Sequence, residues 1–235
     1  PRKPRWSSAE APQQLDGFFS ALLGRVAGNA GHYRASALVR RTGACLRTLG
    51  AATVEQGLEE QRDRPELTDA ALNSVLLGVT DFFRDRAVFE RLRFSILPEL
   101  MRRQARLRIW SAACSQGHEL YSVAMLLAEE GRLEQAELLG TDCRSDAIRQ
   151  AQGGAFCAQV VAKLPAHWRR NFFSEGAVTS RIDPTLQRNI RWKSADLFAV
   201  IEPGPWHVIL WRNMAIYLEP PAAEELPRDP LRLPG

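Results

Sequence analysis

The stretch from Leu107 to Gly154 leaves this chain few ways to fold. "LRIWSAAC" is an apolar run of strand length, and "ELYSVAMLLAEEG" repeats its apolar residues at helical spacing until Gly131. "AELLGTD" is a second buried strand, and "RSDAIRQAQGG" a second helix with a glycine stop. Strand, helix, strand, helix at this spacing predicts parallel strands joined by right-handed crossovers, with ligands at the carboxyl ends of the strands. From Cys157 to Arg191 the rhythm breaks: "KLPAHWRRNFF" and "AVTSRIDPTLQRNIRW" carry short alternating segments around Asp183-Pro184. A small β insertion over about 157–190 is expected there. The α/β pattern resumes with "IRWKSADLF" and "WHVILWRNMAIYL".

Upstream the period is helical. Leu15, Phe18, Phe19, Leu22, Leu23 and Val26 form one series, Leu38, Cys45, Leu46 and Leu49 a second, and Leu67, Ala71, Leu72, Val75 and Leu76 a third. The expected organisation is a flexible arm over 1–14, a helical domain over 15–78, a linker helix region over 79–104 and an α/β domain over 105–235. Thr80 and Asp81 supply cap chemistry for the linker helix. On the second helix Arg40, Arg41 and Arg47 share a mainly polar side, with Arg34 just before it. They read either as a solvated face or as a docking face for an acidic helical partner.

Composition narrows the function classes. Cys45, Cys114, Cys143 and Cys157 form no CxxC pair and have no histidine at zinc spacing, so free thiols and no metal are expected. No run approaches 18 apolar residues, and the basic start lacks the apolar core of a signal peptide, which predicts a cytoplasmic protein that is not membrane-inserted. A net charge of +4 favours acidic partners.

The chemistry gathers at the strand ends "SAACSQGHE", "GTD", "WRN" and "SADL". Asp142 ends the second strand beside the first crevice, where a carboxylate can accept both hydroxyls of a ribose; its alternative role is a helix N-cap. The loop around Gly117 lacks the lysine of a phosphate loop and the full GxGxxG, so triphosphates and dinucleotides are poorly served. A ribose-bearing cofactor without phosphates fits better, and S-adenosylmethionine is the common one; its carboxylate would meet backbone N–H groups of the turn.

Five segments in order then resemble the chemotaxis receptor glutamate methyltransferase (CheR) family: "LVRRTGACLRTLG", "TDFFRD", "WSAACSQGHELYS", "LLGTDCRSDAIRQAQGGAF", and "LPAHWRRNFF" with "WHVILWRNMAIYLEP". The resemblance implies a Rossmann-like methyltransferase sheet with an N-terminal helical domain and a small β insertion. It implies methyl transfer from S-adenosylmethionine to glutamate carboxylates in the helical methylation region of a chemoreceptor or related sensory receptor. Carried over residue by residue, Thr80, Arg84, Glu119, Asp142, Asp196, Leu197, Asn213 and Met214 surround the cofactor. Arg84 orients the substrate carboxylate, Tyr217 lies close to the transferred methyl, and Arg34, Arg40, Arg41 and Arg47 dock the partner. Trp110 and Tyr121 are expected in the core.

Departures are specific. Gly78 stands where the family often has Asn, Asp196 where it usually has Asn, and His118 and Leu120 replace the first Glu and the Pro of its G-E-E-P stretch. His118 is expected at a helix start facing solvent. Cys143 replaces an apolar residue. After "IYLEPPAAEEL" the tail "PRDPLRLPG" cannot supply the closing strands of the family's sheet, so residues are expected to be missing near Leu226 and "HVILW" is expected to be an apolar edge. These departures motivate a second function, a degenerate module that binds the cofactor or S-adenosylhomocysteine without turnover. A nucleic-acid methyltransferase is disfavoured, because "WRNMAIY" is not an N-P-P-[YF]-type motif.

Overall fold

A computed structural model describes residues 11–24, 30–76, 80–199, 202–212, 214 and 217–225. Most of the expected arm, Gly78, Asn213 and the tail from Leu226 lie outside the described residues. The chain divides into two compact units. One gathers the described residues up to Leu76 with 196–199, 214 and 217–225; the other comprises 80–195 and 202–212. The segments 196–199 and 217–225 thus group with the helices, although the sequence placed them in the α/β domain.

In the helical unit, α1 (Ala11–Leu23), α2 (Ala35–Leu49), α3 (Val54–Asp63) and α4 (Thr68–Val75) bury most of the predicted stripes; Leu67 and Leu76 are half-buried beside α4, and Val26 lies outside the described residues. Phe18, Leu22, Leu46, Leu49 and Leu72 are all buried. The helix α1 begins inside the stretch read as an arm. Pro12 sits in its first turn, where a missing N–H removes no helical hydrogen bond. The Thr53 hydroxyl caps α3 by accepting the Gln56 N–H at 3.3 Å.

The other unit opens with a turn rather than the expected cap. Asp81 Oδ1 accepts the Phe82 N–H, Phe83 and Asp85 have positive φ (52° and 59°), and α5 (Arg86–Arg91) starts only after Asp85. The reason is tertiary: the Phe83 N–H donates to Ser122 Oγ, and its ring stacks on Trp168 at 3.9 Å. A π-helical stretch, Leu92–Ile96, joins α5 to α6 (Leu97–Arg103). It sits just ahead of Pro98, whose ring crowds the carbonyl four residues back in a regular helix.

Next come β1 (Leu107–Ala112), α7 (His118–Glu129), β2 (Ala136–Asp142) and α8 (Ser145–Gly153), as the sequence predicts. The insertion mixes strand and helix: β3 (Ala155–Cys157), α9 (Ala158–Val161), α10 (Ala166–Phe172), β4 (Phe173–Ser174), β5 (Thr179–Ile182) and α11 (Pro184–Arg188). Its three strands form an antiparallel sheet, β3-β5-β4. With β6 (Ile190–Ser194) and β7 (Val208–Leu210), the main sheet has the order β6-β2-β1-β7, all parallel. Among the described residues β7 lies at one end of the sheet. Trp110 and Tyr121 lie in the core, 1% and 0% exposed.

Back in the helical unit, α12 (Pro220–Glu225) follows a segment tied to the start of α2. Tyr33 and Leu218 form an antiparallel bridge, and the Glu219 N–H donates to the His32 carbonyl at 2.9 Å. The rings of His32 and Phe198 lie 4.2 Å apart.

Candidate functional site

The carboxyl ends of β1 and β2 bring together the loop 113–117 and Asp142. In that loop Ala113, Ser115 and Gly117 all have positive φ (57°, 52° and 85°). Left-handed backbone at two non-glycine residues is a strained arrangement that points to a function for the turn. The loop is tied to β2 at two points: the Cys114 N–H donates to the Thr141 carbonyl, and the Ser115 N–H donates to Asp142 Oδ2, both at 2.8 Å. Gly117 is required for space as well as conformation. A Cβ there would lie 2.5 Å from the Trp192 ring, and one at Gly140 would overlap the same ring. Trp192 therefore forms a wall against both segments.

Asp142 is 5% exposed. It does not cap α8, whose N-cap position is Arg144. Instead Asp142 Oδ1 accepts the Arg144 backbone N–H at 3.0 Å and its Nε at 3.1 Å. The Arg144 guanidinium also donates to Ser115 Oγ at 2.9 Å.

Glu119 lies in the first turn of α7, on the other side of β1. Its Oε1 accepts the Ser111 hydroxyl at 2.9 Å, and its Oε2 lies 3.4 Å from Arg212. Burial pushes the Glu119 carboxyl above the ordinary carboxylate range, while the Ser111 bond and the Arg212 and Arg84 charges oppose that rise. Arg212, just past β7, also donates to the Arg84 carbonyl at 2.8 Å and pairs with Asp85. Arg84 and Thr80, both half-buried, belong to the same turn.

His118 corrects an expectation. It is 4% exposed, not solvent-facing, because Phe82 and Phe156 close over it with ring centroids at 4.7 and 4.6 Å. Burial lowers its pKa to about 4, against a smaller opposing effect of Asp81. A neutral imidazole inside an aromatic cluster is a packing residue.

The remaining expected residues belong to the helical unit. The Asp196 carboxylate accepts the Phe198 N–H at 3.0 Å, Leu197 is buried, and the Tyr217 N–H donates to the Met214 carbonyl. Arg34 donates its N–H to the Tyr217 carbonyl and its Nε to the Leu218 carbonyl, at 2.8 and 2.7 Å, so it ties the chain to itself. Arg40 and Arg47 are exposed and Arg41 is half-buried on α2. Asn213 falls outside the described residues. Arg144, Arg212, Ser111 and Ser115 were missed in the sequence. The quoted "WRN" and the arginine two places after Asp142 were the signals available.

The donor set suits a cationic, ribose-bearing ligand. Two carboxylates, the buried Asp142 and the half-buried Glu119, flank β1, and the four cysteines are free thiols. Among the described residues no His, Cys, Asp and Glu cluster is arranged to hold a metal, and no helix is long and apolar enough to cross a membrane.

Comparison with known proteins decides the family. The CheR methyltransferase SAM-binding domain matches residues 78–229, more than half of the chain. The chain belongs to this family. The domain's cofactor is S-adenosylmethionine, which the two carboxylates and the phosphate-free loop fit. A chemotaxis protein methyltransferase of Listeria monocytogenes is 30% identical over 152 residues, covering 64% of this chain and 58% of the relative. A probable chemotaxis protein methyltransferase of Rhizobium etli is 33% identical over 161 residues, covering 64% and 60%. Chemotaxis protein methyltransferase 1 of Pseudomonas aeruginosa is 28% identical over 180 residues, covering 72% and 64%. The chain thus spans less than two thirds of the length of these CheR relatives.

Proposed function

We propose that this chain is a cytoplasmic protein-glutamate O-methyltransferase acting on the helical methylation region of a chemoreceptor or related sensory receptor, forming glutamate methyl esters and S-adenosylhomocysteine. The observation that carries this reading is Asp142, which ends β2 against the strained 113–117 loop in a chain of the CheR family. The relatives' names support the chemotaxis setting.

When bound, the cofactor supplies a methyl group on a positively charged sulfur. The chain's residues bind and orient. Asp142 accepts the ribose hydroxyls and Glu119 faces the cationic methionine end. A glutamate carboxylate is already a competent nucleophile at neutral pH, so no general base is required, and rate comes from alignment and exclusion of water. Arg84 presents a planar fork to the substrate carboxylate. Roles for Thr80, Asp196, Leu197, Asn213, Met214 and Tyr217 follow from the family resemblance. Arg40, Arg41 and Arg47 form the docking face for an acidic receptor helix, and Arg34, tied to Tyr217 and Leu218, supports it.

One observation favours a second reading, a module that binds the cofactor or its product without turnover: His118, which replaces the first Glu of the family's G-E-E-P stretch, is buried between Phe82 and Phe156. Transfer of tritiated methyl groups to purified receptor fragments, released by base as methanol, separates the two. The enzyme reading expects base-labile label and at least a hundredfold loss in Arg84→Ala. Binding of S-adenosylhomocysteine with no ester formed would leave the second reading.

A further inference from the structure

A carboxylate has about four lone-pair sites, and at Asp142 all of them face protein donors. Oδ1 accepts the Arg144 backbone N–H and Nε; Oδ2 accepts the Ser115 N–H at 2.8 Å and an Arg144 terminal nitrogen at 3.4 Å. Two of these donors are backbone groups that define the turn. The other two belong to one guanidinium. A vicinal diol also needs two sites, so it meets its acceptors where the guanidinium now sits.

We propose that Arg144 is a latch on the cofactor site: its guanidinium and the ribose diol compete for the same two positions on Asp142, and the cofactor binds by displacing it. This rests on the reading of Asp142 as the ribose-binding residue. The ion pair is secluded, with side chains 10% and 5% exposed, so solvent does little to loosen it. The Ser115 Oγ contact adds a third anchor and couples the closed latch to the 113–117 loop. Asp146, in the first turn of α8, is a second anionic neighbour of the guanidinium in this position.

The latch adds a displacement cost to every ligand that takes both positions on Asp142. A ligand must bring two adjacent hydroxyls to replace both guanidinium contacts. One with a single hydroxyl leaves a buried donor or acceptor unpaired and binds more weakly.

The test is calorimetric and needs no turnover. Arg144→Met keeps the length of the side chain and removes the fork; Arg144→Lys keeps the charge with a single point contact and guards against a folding defect in the first variant. S-adenosylhomocysteine is expected to bind Arg144→Met about tenfold more tightly than wild type, with Arg144→Lys between them. Equal or weaker binding of S-adenosylhomocysteine in both variants, with wild type still binding it, overturns the latch and leaves the cofactor reading intact. Failure of wild type and both variants to bind S-adenosylhomocysteine removes the cofactor reading and the latch together.

Discussion

On the β2 side of β1, Asp142 is gripped by donors from its own neighbourhood: the backbone of the 113–117 loop and an arginine two residues on. On the β7 side, Glu119 depends on Ser111 within β1 and on Arg212, which arrives from a strand almost a hundred residues later. The first carboxylate is set by two backbone N–H groups, of Ser115 and Arg144. The second is buried more deeply than its partners compensate, so its protonation is pushed upward. Local ties make an acceptor of fixed aim, whereas distant ties make one whose charge depends on the packing of another strand.

The largest test of that contrast attacks the wall. Gly117→Ala adds a Cβ 2.5 Å from Trp192 at a φ of +85°. It is expected to cost about 3 kcal/mol in urea unfolding, and a Gly117→Ala/Trp192→Leu double variant should cost less than the two single changes together. Wild-type stability in Gly117→Ala would show that the β2 side is not rigid.

His118 comes next. Its pKa falls from 6.5 to about 4 in the folded chain, so the unfolded chain holds more protons between those values. Its contribution is fully present above about pH 6.5 and is lost as the pH falls towards 4, on the order of 3 kcal/mol in all. Asp81 is the charged group that opposes the shift. Urea midpoints from pH 7.5 to 4.5 should fall more steeply in wild type than in His118→Leu; parallel slopes would refute the buried neutral imidazole.

Arg212→Met should cost about 2 kcal/mol, because Glu119, Asp85 and the Arg84 carbonyl lose one shared partner. The same variant should raise the Glu119 pKa further, seen by carboxyl NMR titration. The amide NMR signals of Ser115 and Arg144, which donate to Asp142, should be unchanged, which is what independence of the two sides means. Smallest is Lys163→Ala. Its pair with Asp81 is 65% and 36% exposed, and removing it should change unfolding by no more than about 0.5 kcal/mol.

What the sequence made legible was whatever depends on near neighbours. "AELLGTD" spans β2 from end to end because a buried parallel strand is an apolar run with a polar stop. Asp142 could be singled out because a strand end is a local signal, whereas Glu119 was named only through the family resemblance. The turn before α5 was misread as a cap because Ser122 and Trp168, which hold Phe83, come from distant segments. His118 was misplaced for the same reason, since Phe82 and Phe156 bury it from either side of the chain. Arg144 was overlooked inside a stretch that already read well as a helix start.

Trp192 has a consequence for how such a sequence can drift. Its one ring rests where side chains at both Gly117 and Gly140 would otherwise project. While the indole stays, neither glycine is open to change. A lineage that first trades the tryptophan for a smaller residue gains space at both positions, but Gly117 is still held by its positive φ, so Gly140 and Trp192 are the pair expected to change in a fixed order.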